Sequence, residues 1–309
     1  MDVAMFATTP AGRRFFDLYD TLRGQFPEDS TDADLSSRYG TTRVTSWGNP
    51  HRPTLVFLPG AGASLTSWST VAAALGADHR CHAVDVIGDI GDIGRSVRGG
   101  GDPIASVPDL LEWLDTTLGS LPAPTGDRRP VPADNAPPTL VGHSYGAMVA
   151  LAFAVARPHR VNGLILLDPS SCFGGMRPRY LWHALPTLLF ANESRQHRFL
   201  DWETAGTVLD PPWRQLSAMG AAHFPRVRPP IPRRPKPAAL AGLTIPVSVL
   251  LAAHSRLHNP AKIAESARKS LPQCSIEFIA GATHHSLPRQ PRAAVIAALT
   301  AACAPPAND

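Results

Sequence analysis

Ser144 stands at the centre of Gly142-His143-Ser144-Tyr145-Gly146, a G-x-S-x-G pentapeptide. It follows the apolar pair Leu140-Val141 and opens a small-residue segment running from Ala147 to Arg157. Strand, tight turn and helix is the setting in which this pattern marks a nucleophilic serine. The serine sits on a strained turn at the end of a sheet, and the flanking glycines let the strand and helix backbones pass closely. A serine hydroxyl is a weak nucleophile until a base takes its proton. The expected base is a histidine on a late loop. Gly281-Ala282-Thr283-His284-His285-Ser286 supplies His284, with His285 as the alternative. Acyl transfer also needs N–H donors for the developing oxyanion. Tyr145, the residue after the nucleophile, offers one. The second is expected from Pro59-Gly60-Ala61-Gly62-Ala63-Ser64, and is assigned to Ala61. Gly60 and Gly62 leave room for a substrate there, and His143 flanks the nucleophile, packed or lining the pocket.

These residues must be carried by strands and helices in alternation. Phe15, Leu18, Tyr19, Leu22 and Phe26 fall at helical spacing, predicting an amphipathic helix that docks onto the body of the protein or onto a lid. Gly40–Trp47 alternates and is rich in threonine, which predicts a strand. Thr54–Leu58 and Cys81–Val86 read as buried strands separated by a helix at Trp68, Val71, Ala72 and Leu75. Val107, Leu110, Leu111, Leu114 and Leu118 mark another helix, and Thr139–Gly142 is the strand that carries Ser144. Leu164–Leu167 follows and ends at Asp168-Pro169. Val247–Leu251 and Ser275–Ile279 are the last strands, and a helix closes the chain around Arg292–Ala302. Such alternation predicts a mostly parallel, doubly wound α/β sheet.

The run from Ser171 to Thr244 breaks the alternation and is read as a helical lid. The expected division is therefore 1–170 (core, first part, with the N-terminal helix), 171–244 (lid) and 245–309 (core, second part). Ser120–Pro138 reads as a surface loop, and Gly88–Gly94 is a tandem G-D-I repeat with no phosphate-binding pattern. Asp85 and Asp89 are expected to cap turns at the carboxyl edge of the sheet.

Composition narrows the class. The chain has 309 residues, 44% hydrophobic and 17% charged, which suits one large globular domain. No apolar run approaches the ~18–20 residues of a membrane span. Met1–Pro10 lacks a charged start and an apolar core, so the cytoplasm is the expected location. Cys81, Cys172, Cys274 and Cys303 are far apart, which speaks against a metal site or a disulfide framework. The net charge of +4 owes much to Pro225–Pro237, where Arg226, Arg228, Arg233, Arg234 and Lys236 stand among prolines. No aromatics interleave them, and no nucleic-acid partner is expected.

The chain resembles the α/β-hydrolase family, in its lid-bearing serine esterase and lipase-like branch. The resemblance runs from about Tyr39 to the C-terminus. It rests on LPGAGAS (58–64), VDVIGDIGDIGRS (84–96), GHSYG (142–146), LILLDP (164–169), IPVSVLLAAHS (245–255) and GATHHSLPRQP (281–291). It implies an α/β-hydrolase fold, hydrolysis of a carboxylic ester and no cofactor. Family members usually have His-Gly where this chain has Pro59-Gly60. They also carry the acid of the triad just after the strand matching Val247–Leu251. Here that stretch is Ala252-Ala253-His254-Ser255, with Ser255 where a carboxylate is expected. Either the acid has moved to Asp168, at the end of the preceding strand, or it is lost. In the second case Ser255→Asp should leave activity unchanged or raise it.

The function expected is therefore cleavage of a small-molecule carboxylic ester with a hydrophobic group, through an acyl-enzyme on Ser144. The same residues would serve an acyltransferase, thioesterase or cyclase. A loss of the acid would instead leave a non-hydrolytic or binding protein. Trp182 of the lid and His254 of the acid loop are candidate pocket residues, with His258, Trp202 and Trp213 as further possibilities.

Overall fold

The computed structural model describes residues 3–87, 101–122, 136–225 and 230–304. The tandem repeat at 88–94 with Asp89, the bulk of the 120–138 loop, Arg226 and Arg228 lie outside them. The described elements begin with helices α1 (Val3–Thr8) and α2 (Pro10–Arg23) and strands β1 (Thr31–Ser37), β2 (Gly40–Gly48) and β3 (Thr54–Leu58). Then come α3 (Ser69–Gly76), β4 (Arg80–Val84), α4 (Val107–Gly119), β5 (Thr139–His143), α5 (Tyr145–Ala156) and β6 (Gly163–Leu167). Four helices follow before the next strand: α6 (Pro178–Leu189), α7 (Glu193–Glu203), α8 (Pro211–His223) and α9 (Pro237–Ala241). The last elements are β7 (Val247–Ala252), α10 (Pro260–Ser270), β8 (Ser275–Ile279) and α11 (Arg292–Cys303).

The strands form one eight-stranded sheet in the order β1-β2-β4-β3-β5-β6-β7-β8. β1 and β2 run antiparallel to their neighbours, and the pairs from β4 to β8 are parallel. Helices cover both faces, so the central strands bury both sets of side chains and read as continuous apolar runs. Leu55 and Phe57 of β3 join one core with α2, α3, α8 and α11. Val56 and Leu58 join the other with α4, α5 and α10. The predicted N-terminal helix is α2, and it packs on the sheet side and on the segment between β6 and β7 at once: Phe15 lies 5.1 Å from Phe224, ring centre to ring centre.

Two boundaries depart from the sequence pattern for identifiable reasons. β1 reads TDADLSS and carries no strand signal, yet it pairs with β2 from Thr31↔Ser46 to Ser37↔Gly40. Its carboxylates compensate for poor propensity, since Arg43 binds Asp34 at 2.5 Å and Arg23 binds Asp32 at 2.7 Å. β4 stops at Val84 rather than Val86 because Asp85 turns inward. Its carboxylate accepts the Tyr19 hydroxyl at 2.8 Å and the Leu65 N–H at 2.7 Å, capping the turn before α3 as expected.

Candidate active site

The carboxyl ends of β3, β5 and β6 and the loop after β8 converge on Ser144. That serine has φ +53° and ψ −110°, a backbone region that L-residues avoid and that only an over-determined turn sustains. The glycines of the pentapeptide show why the turn needs them. A Cβ on Gly146 would lie 2.2 Å from the Leu58 carbonyl oxygen, and one on Gly142 would lie 2.5 Å from the backbone of Gly146. β5 and α5 therefore meet at a separation that no side chain permits.

Ser144 Oγ lies 2.9 Å from His284 Nε2, and His284 Nδ1 lies 2.6 Å from Asp168 Oδ2. The structure thus brings Ser144, His284 and Asp168 into one chain of hydrogen bonds. An ionised carboxylate can only accept, so His284 donates from Nδ1 and leaves Nε2 to accept the serine proton. Asp168 is wholly buried and has φ +39°, a second strained residue in the same site. It also accepts from His258 Nε2 at 3.0 Å, Ser255 Oγ at 2.9 Å and the Ala252 N–H at 3.1 Å. Burial alone would raise its pKa. Hydrogen bonds from His258 and His284, helped by their charges, outweigh burial and hold it well below the usual carboxylate range.

Ser255, where the resemblance led one to expect an acid, donates its hydroxyl to Asp168 Oδ2, just after β6. His258, which precedes the Asn259 cap of α10, is buried against the same carboxylate, whereas His254 is exposed and its backbone N–H donates to the Ala282 carbonyl at 2.9 Å. Trp182, on α6, is 74% exposed. Trp213 instead borders the Gly62–Ser64 loop, together with Leu216 of α8.

His285, the alternative base, faces elsewhere. Its Nε2 pairs with the Tyr180 hydroxyl at 2.9 Å, and burial beside the charges of His284 and His143 pushes its pKa well down. His143 is packed against His284: its Nε2 donates to the His284 carbonyl at 3.1 Å, and burial lowers it to about 3. A Cβ on Gly60 would come within 3.0 Å of His143 Nδ1, which keeps that position small. Ala63 N–H donates to the Gly60 carbonyl at 3.1 Å, and Gly62 has φ +73°. That is the pattern of a type II turn with Ala61, an exposed residue, at its first corner.

One participant carried no sequence signal. Glu203, the last residue of α7, is fully buried and accepts the backbone N–H groups of His284 at 3.1 Å and His285 at 2.9 Å. It also accepts the Thr283 hydroxyl at 3.1 Å. Nothing in the run D-W-E-T distinguishes this carboxylate from a surface one.

A family model described as the alpha/beta hydrolase family matches residues 55–298. Carboxylesterase YbfK of Bacillus subtilis (strain 168) is 28% identical over 180 residues, 57% of this chain and 54% of the relative. The aligned stretch thus spans about half the length of that relative. A carboxylesterase named nap from the same organism, described as uncharacterized, is 25% identical over 288 residues, covering 91% of this chain and 89% of the relative. Among solved structures, the carboxylesterase CesB (YbfK) of Bacillus subtilis superposes with a TM-score of 0.80 at 22% identity, covering 96% of this chain and 99% of that one. The naproxen esterase of the same organism gives 0.79 at 22% identity, over 94% and 98%. These likenesses establish the fold.

Proposed function

The chain belongs to the alpha/beta hydrolase family, and from that premise we propose that it hydrolyses carboxylic esters through an acyl-enzyme on Ser144. The observation that carries this reading is the unbroken line from Ser144 Oγ through His284 to Asp168. Two relatives named as carboxylesterases support the bond type.

Ser144 gives its proton to His284 Nε2 as Oγ attacks the ester carbonyl carbon. The tetrahedral oxyanion is held by the N–H of Tyr145, at the first position of α5, and by that of Ala61 on the turn after β3. His284 then returns the proton to the leaving alcohol, and the ester C–O bond breaks. Water, deprotonated by the same nitrogen, attacks the acyl-enzyme and releases the carboxylic acid with Ser144 restored. Asp168 holds the imidazole in the tautomer that can accept and stabilises the imidazolium formed at each step. No step calls for a metal or an organic cofactor.

Residues 171–244 serve in this reading as the lid. Support comes from four helices between two adjacent parallel strands and from Trp213 and Leu216 beside the Gly62–Ser64 loop, which favours a hydrophobic acyl or alcohol group. Acyl transfer or cyclisation would use the same residues, and the named relatives favour water as the acceptor. We place the enzyme in the cytoplasm, a reading supported by four free cysteines. Among the described residues no helix is long and apolar enough to cross a membrane.

The test is labelling with a fluorophosphonate probe, read by intact mass and peptide mapping, alongside hydrolysis of a chromogenic ester. One adduct on Ser144, absent in Ser144→Ala together with turnover, is expected. A folded protein that takes no adduct, or a Ser144→Ala variant with the wild-type rate, would reject the reading.

A further inference from the structure

Seven of the eleven large apolar side chains exposed among the described residues fall within residues 176–190. Leu181, Trp182, Leu185 and Leu189 are 47%, 74%, 42% and 58% exposed, and Phe190 just beyond the helix is 66% exposed. On α6 the first four are spaced i, i+1, i+4 and i+8, so they share one stripe about 100° wide facing outward. The opposite side of α6 faces the protein: Ala184 is buried, and the Tyr180 hydroxyl meets His285 Nε2 at 2.9 Å. The stripe is therefore the outer face of a helix whose inner face touches the neighbour of the candidate base.

The charges around the stripe have one sign. No Asp or Glu occurs from 169 to 192. Arg177 and Arg179 are exposed at one end, and Arg198 is exposed beyond the other. Arg195 stands over the Phe190 ring at 5.8 Å. The carboxylates that follow in the chain are already paired, Glu193 with His223 and Gln215 of α8 at 2.8 Å each, and the exposed Asp201 with Arg214 at 2.8 Å. An apolar stripe with a tryptophan and basic flanks suits the boundary of an anionic lipid layer, with the rings at headgroup depth and the guanidinium groups on phosphate. A second copy suits it poorly. A two-fold contact sets the same patch against itself and would oppose the arginines to one another.

We propose that α6 docks the protein, in the plane of the surface, onto lipid membranes that carry anionic headgroups. The docking stands on the patch alone. Its use, the delivery of a lipid-phase acyl ester to the neighbouring Ser144, rests on the esterase reading.

Binding is measured apart from catalysis, by floating the full-length Ser144→Ala protein with phosphatidylcholine vesicles containing or lacking phosphatidylglycerol. The expected result is co-flotation with the anionic vesicles, weakened by added salt. Leu181→Glu/Leu185→Glu should lower the partition coefficient ~10-fold or more. With Ser144 intact, the same pair should hydrolyse a short water-soluble ester at the wild-type rate, which reports that it is folded. Trp182→Ala, a milder change at an exposed position, should weaken flotation in the same direction and carries the test if the double variant misfolds. The proposal is overturned if the protein stays with the vesicle-free fraction, or if these variants float like the parent. It is also overturned if they convert a dimer to a monomer while flotation is absent, which would assign the face to a second copy.

Discussion

The Glu203 carboxylate accepts the backbone N–H of His284 at 3.1 Å, so the segment between β6 and β7 holds the very loop that carries the candidate base. The same carboxylate takes the His285 N–H and the Thr283 hydroxyl, three donors in succession. Burial raises its pKa, and the hydrogen bonds and the charge of His284 act against that rise. Glu203→Gln keeps the shape but turns an amide N–H₂ toward backbone donors. Leaving such a group unsatisfied costs ~1–3 kcal/mol, and part of that falls on the placement of the His284 ring. The expected outcome is a kcat about tenfold lower with KM little changed, and a shifted acid limb in the pH profile of kcat. A melting temperature that drops while kcat and the pH profile stay put would reduce Glu203 to a structural group.

The Asp168 carboxylate makes a sharper prediction. Asp168→Asn should lower kcat by ~10²–10⁴-fold in a folded protein, because the amide cannot hold the tautomer or stabilise the imidazolium. Ser255→Asp is expected to be neutral or faster only if the acid is lost, and the geometry bears on that case. Ser255 donates to Asp168 Oδ2 at 2.9 Å, so a carboxylate there would oppose Asp168 across a hydrogen-bond distance in a buried space. Two such groups cannot both ionise. Steady-state kinetics near neutral pH should show Ser255→Asp slower than wild type, with Ser255→Ala between them. A faster Ser255→Asp would mean that Asp168 is not the working acid.

How far the sequence could be read depended on the range of each constraint. The Gly142–Gly146 turn announces itself through its own pentapeptide, although Gly146 makes its closest approach to Leu58, far away in the chain. His284 follows from its place between the last strand and the last helix. Asp168 was visible as a carboxylate at a strand end, but its pairing with His258 and Ser255 joins residues 90 and 87 apart in the chain. No local pattern encodes that meeting. Glu203 lies 81 residues from the backbone group it anchors, and no motif marks it at all. The central strands were legible because burial on both faces leaves an unmistakable apolar run. β1 was not, because its stability comes from pairing with β2 and from ion pairs with Arg23 and Arg43.

The glycine turn yields a stability prediction independent of the chemistry. A methyl on Gly146 would press to 2.2 Å against the Leu58 carbonyl, a backbone atom that cannot rotate away. Overpacking of this kind costs typically ~1–3 kcal/mol and more where backbone is the obstacle. Gly146→Ala should therefore lower the melting temperature markedly or prevent folding. Gly175→Ala, where a Cβ meets nothing within 4 Å, should not. Equal melting temperatures for the two would contradict the close approach of α5 to β3.

Three enclosed histidines should set the response to mild acid. Burial comes first among the causes that push His82, His143 and His285 down, followed by Arg80 for the first and His284 for the other two. His82 and His143 are held at about 3. In the unfolded chain each returns to ~6.5. The unfolded state therefore binds protons that the folded state refuses. The stability these neutral rings contribute is complete above ~6.5 and is lost as pH falls toward the folded values, by up to ~1.4 kcal/mol per pH unit for each ring. Asp168 adds nothing in that window, since its depressed carboxyl contributes fully above ~3.9 and is lost only below. Glu203, raised by burial, binds its proton more readily when folded and offsets part of the slope at the acid end. The melting temperature should fall steadily from pH 7 to pH 5, and His82→Gln, remote from the triad, should flatten that fall by removing one ring. A flat profile in the wild type would show that these histidines take protons without unfolding.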